Sequence, residues 1–224
     1  MKKTLPTLVG SSVLAAGVAL ASSVSPASAA SITFDVFDFT GDDAQAQLIL
    51  DDTGGVVQFT VNVIDPPTTG DLRGVFFNIL DDSLLSDLQV SGSDVTDFQF
   101  GPPGGVDDLG GGANINPRSF DAGVEIGGSG AGQGDFFTST MFTLSRISGG
   151  ILTLDQFFNQ DFGVRLTSTT GSEGSSKLAG TAPDGGNGGE PKPVPEPGTT
   201  AALGLFAFCG LGLLKKNRKA ASHS

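Results

Sequence analysis

The chain has 224 residues, with 17 Phe but no Trp or Tyr, one Cys, one His and a formal net charge of −12. A single Cys excludes an intramolecular disulfide, and Phe without Trp or Tyr is core filler rather than a stacking platform, which argues against a lectin or glycosidase. All 24 acidic residues lie between Asp35 and Glu196, where they face only six bases, Arg73, Arg118, Arg146, Arg165, Lys177 and Lys192; such a surface repels nucleic-acid phosphates and anionic lipid headgroups, attracts divalent cations and suits a solvated extracellular setting.

Residues 1–29 read as a secretory signal peptide. Lys2 and Lys3 form a basic start, residues 8–20 are apolar apart from Ser11 and Ser12, and Ala27 and Ala29 are the small residues a signal peptidase needs before its cut. The apolar run is too short for a membrane anchor, and Ser, Pro and small residues follow it. No Cys follows the cleavage site, which excludes lipoprotein processing.

Residues 31–180 are the size of one domain that can bury a core without staples. Their hydrophobic period is two. Ile32, Phe34 and Val36 begin the pattern, and Phe37 and Phe39 break its parity as a bulge does. Val57, Phe59, Val61 and Val63 alternate with polar residues; Val75, Phe77 and Ile79, then Phe142 and Leu144, then Phe162, Val164 and Leu166 do the same. Such runs are half-buried strands. Turn signals separate them at 52–55, 66–67, 101–105 and 148–150, and residues 83–88 and 154–159 suit helical turns. Roughly eight to ten short strands at this spacing predict an all-β fold, a two-layer antiparallel β-sandwich of jelly-roll-like form. The predicted core contains Phe59, Val61, Phe77, Ile79, Phe142, Leu144, Phe162, Val164 and Leu166.

Residues 181–193 are Gly- and Pro-rich and read as a flexible spacer that lifts the domain from the membrane. Val194, Pro195, Glu196 and Pro197 follow. Next come residues 200–214, uncharged and mostly apolar, and then the cations Lys215, Lys216, Arg218 and Lys219. A helix of about 15 residues spans about 23 Å, short of a ~30 Å hydrocarbon core. Snorkelling lysines and local thinning close that gap. The basic cluster acts as a cytoplasmic stop, which agrees with a domain exported by the signal peptide.

Residues 194–219 resemble the PEP-CTERM sorting signal of Gram-negative and cyanobacterial exported proteins. That resemblance implies recognition by exosortase, a membrane-embedded cysteine protease or transpeptidase, with Val194 to Pro197 as the sorting motif. The prolines keep the motif extended, as a protease cleft requires. The runs at 71–77, 120–127 and 161–166 further resemble a secreted cyanobacterial surface module, a likeness that implies no mechanism.

Catalysis finds little support. Nucleophile–base chemistry needs a base that titrates near neutrality, and the single histidine, His223, lies beyond the apolar segment. Zinc held by His or Cys is excluded on the same ground. Gly110, Gly111 and Gly112 lead into Ala113 and Asn114 without the Lys-Ser or Lys-Thr of a phosphate loop. The adjacent acids at 42–43, 51–52, 81–82 and 107–108 point to opposite faces wherever they lie on strands. Calcium suits them better, since it takes six to eight oxygens from carboxylates and loop carbonyls; Asp35, Asp38, Asp42 and Asp43 are the candidate ligands of a structural calcium. No other cofactor is expected. The expectation is a non-enzymatic, exported cell-surface or extracellular-matrix protein with a structural or adhesive role. It is anchored in the inner membrane until its tail is processed, with signal peptidase, exosortase and extracellular polysaccharide as partners. The alternative is a calcium- or small-ligand-binding module: a filled core favours the first reading and an apolar cavity the second.

Overall fold

The computed structural model describes residues 30–128 and 136–185. The signal peptide with Ala27 and Ala29, the end of the spacer, the motif Val194 to Pro197, the apolar helix 200–214 and the cations Lys215 to Lys219 lie outside the described residues. Among the described residues no helix is long and apolar enough to cross a membrane.

The alternating segments form ten strands: β1 Ala30–Gly41, β2 Gln45–Thr53, β3 Val56–Ile64, β4 Asp71–Phe77, β5 Leu88–Ser91, β6 Val95–Phe100, β7 Ala122–Ile126, β8 Ser139–Arg146, β9 Asp161–Thr167 and β10 Ser175–Thr181. The fold is all-β and antiparallel. Hydrogen bonds join the strands into one sheet in the order β5-β8-β3-β2-β1-β10-β9-β4-β7-β6. The sheet curls until its edge strands β5 and β6 approach one another, a near-closed, barrel-like form. Edge strands left open are sites of unwanted pairing, and the curl leaves this pair facing each other across one seam. The two expected helical turns are short 3₁₀ segments, Asp82–Asp87 and Leu154–Gln156.

The interior is filled with phenylalanine. Phe59 of β3 stacks on Phe142 of the neighbouring β8 at 4.8 Å between centroids and meets Phe77 of the distant β4 at 5.1 Å. Phe157, from the turn after the second 3₁₀ segment, closes the cluster edge-on to Phe59 at 5.5 Å. All nine predicted core residues are buried. Each such side chain contributes about 1.5–3 kcal/mol by leaving water, so these rings dominate the stability of the domain.

Three irregularities shape the outer face. The β1–β10 register shifts at Phe39, where the parity break in the sequence lies. The β4–β9 register shifts at Arg73 and the β6–β7 register at Thr96. Each extra residue bends its strand and re-aims a side chain.

Candidate functional site

The outer face of β10, β9, β4 and β7 is the part of the sheet that the chain covers a second time. In one cross-strand row Ala179, Gly163, Phe76 and Gly123 stand opposite one another. The two glycines leave room on either side of the Phe76 ring. The segment between β6 and β7 fills it: Val106, Ile115 and Phe120 pack with Phe76 in a second, smaller core, with Leu109 and Phe39 against it. A Cβ added at Gly163 would stand 2.9 Å from the Phe120 ring, and one at Gly123 would stand 3.0 Å from Phe76 and from Val106. The glycines are there for close approach, not for turns.

The next row is polar: Thr40, Lys177, Arg165, Gly74, Glu125 and Asp97. The covering segment docks through backbone carbonyls on the cations of this row and on Arg73, the extra residue beside Gly74. Arg73 donates to the Gly111 carbonyl at 3.1 Å, Arg165 Nε to that of Gly112 at 3.3 Å, and Lys177 Nζ to that of Asn116 at 2.6 Å. Arg118 returns the contact, its guanidinium 4.9 Å above the Phe39 ring. Four of the six bases that lie between Asp35 and Glu196 therefore meet at this one segment. Arg73 is buried and also pairs with buried Glu125 at 3.5 Å. Burial raises the Glu125 carboxyl above its ordinary range, and Arg73 opposes that rise.

Arg165 and Lys177 differ from Arg73. They stand directly opposite on β9 and β10, and among the described residues the salt bridges are Arg73–Glu125 and Arg146–Asp87 alone. Their partners are neutral carbonyls, so their charge is held but not cancelled. Burial lowers the pKa of both, and for Lys177 the neighbouring Arg165 cation lowers it further while Asp108 opposes. They line a cleft of about 400 Å³ with Thr40, Asn116, Ser175 and Glu173.

The calcium candidates are distributed differently. Asp35 accepts from Gln45 Nε2 at 2.9 Å, across to β2, while Asp38 and Asp43 are exposed. Asp42 is buried and serves as a loop cap: it accepts from the Thr169 hydroxyl and from the Glu173 amide at 2.9 Å, which holds the β9–β10 turn. These bonds favour the ionised form and hold its pKa below the usual carboxylate value. Among the described residues no three of His, Cys, Asp and Glu gather as a metal-holding group.

Capping is the common use of acid here. Asp121 takes the amides of Ile79 and Gly104, Asp81 that of Ser83, Asp108 that of Gly110, and Asp87 both Ser148 and Arg146. Loop amides without a strand partner need an acceptor, and a short carboxylate supplies one locally. The sequence had shown Arg165 and Lys177 only as two of six scarce bases. Their pairing was encoded in the hairpin register, since the alternations in 161–167 and 175–181 put both on the outer face.

No protein-family model, curated protein or solved structure matches the chain.

Proposed function

We propose that this chain is an exported cell-surface or extracellular-matrix protein with a structural or adhesive role, non-enzymatic, and processed at a PEP-CTERM tail. The observation that carries the reading is the filled interior. Phe59 touches Phe77, Phe142, Phe157 and Phe162, so the space within the barrel is side chain and the domain presents only its surface. A packed interior resists deformation, which suits a load-bearing or displayed module.

The finer description of the fold is a barrel flattened into two facing layers, jelly-roll-like. Two features support it. The Phe59–Phe77 contact joins strands that are far apart in the sheet order. Early strands pair with late ones, β1 with β10, β3 with β8 and β4 with β7, as a wrapped long hairpin requires.

Export rests on the zoned N-terminus and processing on the tail. Residues 200–214 stop the chain in the inner membrane, and Lys215, Lys216, Arg218 and Lys219 resist translocation at a cost of at least ~2.5 kcal/mol per charge. The pause presents Val194 to Pro197 at the outer membrane–water boundary. Exosortase then cuts near Pro197, with Glu196 as the polar recognition handle. Glu196→Ala leaves export intact and blocks processing, so the protein accumulates with its tail attached. Mass spectrometry of the surface protein checks this in a host with a working exosortase. A wild-type protein that keeps Cys209 and the basic cluster there overturns the sorting reading.

A further inference from the structure

We propose that the cleft between β9, β10 and the segment joining β6 to β7 binds the carboxylate of an acidic sugar, a uronate unit of an extracellular glycan, through Arg165 and Lys177. Two cations stand on adjacent strands in direct register and line the same cleft. Each is held in place by a neutral carbonyl, Gly112 for Arg165 and Asn116 for Lys177, and a second carbonyl, that of Ser176, takes an Arg165 Nη1 hydrogen. A guanidinium has five N–H groups and an ammonium three, so both retain free donors. Mutual repulsion of the two charges is relieved by one anion placed between them, which is the general reason paired bases bind oxyanions.

The remaining lining specifies the carrier of that anion. Thr40 and Ser175 offer hydroxyls, Asn114 and Asn116 side-chain amides, and Glu173 an acceptor carboxylate at the rim. Such groups exchange hydrogen bonds with vicinal hydroxyls. Pro117 supplies an apolar ring for a C–H face, so recognition needs no Trp or Tyr. A volume of about 400 Å³ lies at the small end of ligand sites, which suits a sugar unit rather than a folded partner. Glu173 shares the cleft and Asp108 acts on Lys177 through space, and neither forms a salt bridge with the two cations. The acidic surface elsewhere repels a polyanion only weakly, because charges farther than about 8 Å are screened at physiological ionic strength. Asp42 acts as a positioning residue, since its bonds to Thr169 and the Glu173 amide hold the turn that carries Glu173 and Ser175.

The surface-protein reading supplies only the setting for this site, so the two fail separately: the tail experiment does not involve the cleft, and the binding experiment does not involve processing. The test is titration calorimetry of the full-length chain in detergent with a galacturonate hexamer, its methyl ester and acetate. The hexamer binds, the ester binds at least tenfold more weakly, and acetate binds more weakly still. Lys177→Gln weakens the hexamer by roughly 10- to 100-fold, the loss expected for one charge-assisted hydrogen bond, and Lys177→Arg restores most of it. In the wild type the Lys177 ammonium pKa rises when the hexamer is bound. Equal binding of acid and ester overturns the proposal, as does an unchanged affinity in a folded Lys177→Gln. Acetate that matches the hexamer leaves a site for free carboxylates and overturns the glycan assignment.

Discussion

The two faces of strands β4, β7 and β9 are built on opposite principles. Inward they present Val75, Phe77, Val124, Phe162 and Val164, large apolar groups that meet the far side of the barrel. Outward they present Gly74, Phe76, Gly123, Gly163, Glu125 and Arg165, a surface hollowed by glycine and edged by charge, over which the chain lays residues 101–121. The inner face is stable because area leaves water. The outer face is specific because backbone approaches backbone and each buried charge has a partner. Strands buried on both sides of an antiparallel sheet need such a cover, since one face of this kind of sheet ordinarily meets solvent.

The inner face should fail most severely. Phe77→Asp places an unpaired carboxylate inside the aromatic cluster, and even truncation of such a ring costs ~3–5 kcal/mol, against a usual domain stability of ~5–15 kcal/mol. The variant is expected to be unfolded by circular dichroism. Its control is Gln58→Asp on the opposite parity, whose main penalty is repulsion from Asp51 directly across on β2 and should stay below ~1 kcal/mol. A folded Phe77→Asp, or an unfolded Gln58→Asp, would break the assignment of the faces.

An outer-face change should be milder and local. In Gly163→Ala the new methyl meets the Phe120 ring at 2.9 Å and the Ile115 side chain at 3.2 Å. Overpacking of this kind costs ~1–3 kcal/mol. The barrel should persist while residues 101–121 lift and become sensitive to protease. Unchanged proteolysis would mean that the cover does not depend on the glycine hollow.

The smallest effect is conditional on pH and concerns the caps. The Asp42 pKa is lowered chiefly by the Thr169 hydroxyl and then by the Glu173 amide. A carboxylate depressed in the folded state stabilises fully above its unfolded value, 3.8 here, and the contribution disappears as the pH falls through the folded value. Asp81 and Asp87 share that direction. Asp42→Asn should therefore lower the denaturation midpoint at about pH 7, by an amount that shrinks as the pH falls below 3.8. A difference that stays constant across this range would make the cap a matter of shape rather than charge. Glu125 runs the other way: its pKa is raised, so its contribution is present below the unfolded value and lost as the pH rises through the folded one.

Period-two alternation was enough to assign an all-β fold and to identify the core from Phe59 to Leu166, because a side chain on a strand has only two directions and burial selects one of them. The parity break at Phe37 and Phe39 likewise marked a real register shift. What alternation cannot carry is which strands are neighbours. The six bases are spread from Arg73 to Lys192 in the chain, and only the order β1-β10-β9-β4 brings Arg73, Arg165 and Lys177 under one covering segment. The aspartates show the reverse relation. Asp35, Asp38, Asp42 and Asp43 are close in sequence, but Asp35 is turned to a strand neighbour and Asp42 to a turn more than a hundred residues away. Local pattern determined which side chains are inside, since that depends on each residue's own period. Tertiary pairing alone decided which charges meet, since that depends on loop closures and register that no single segment contains.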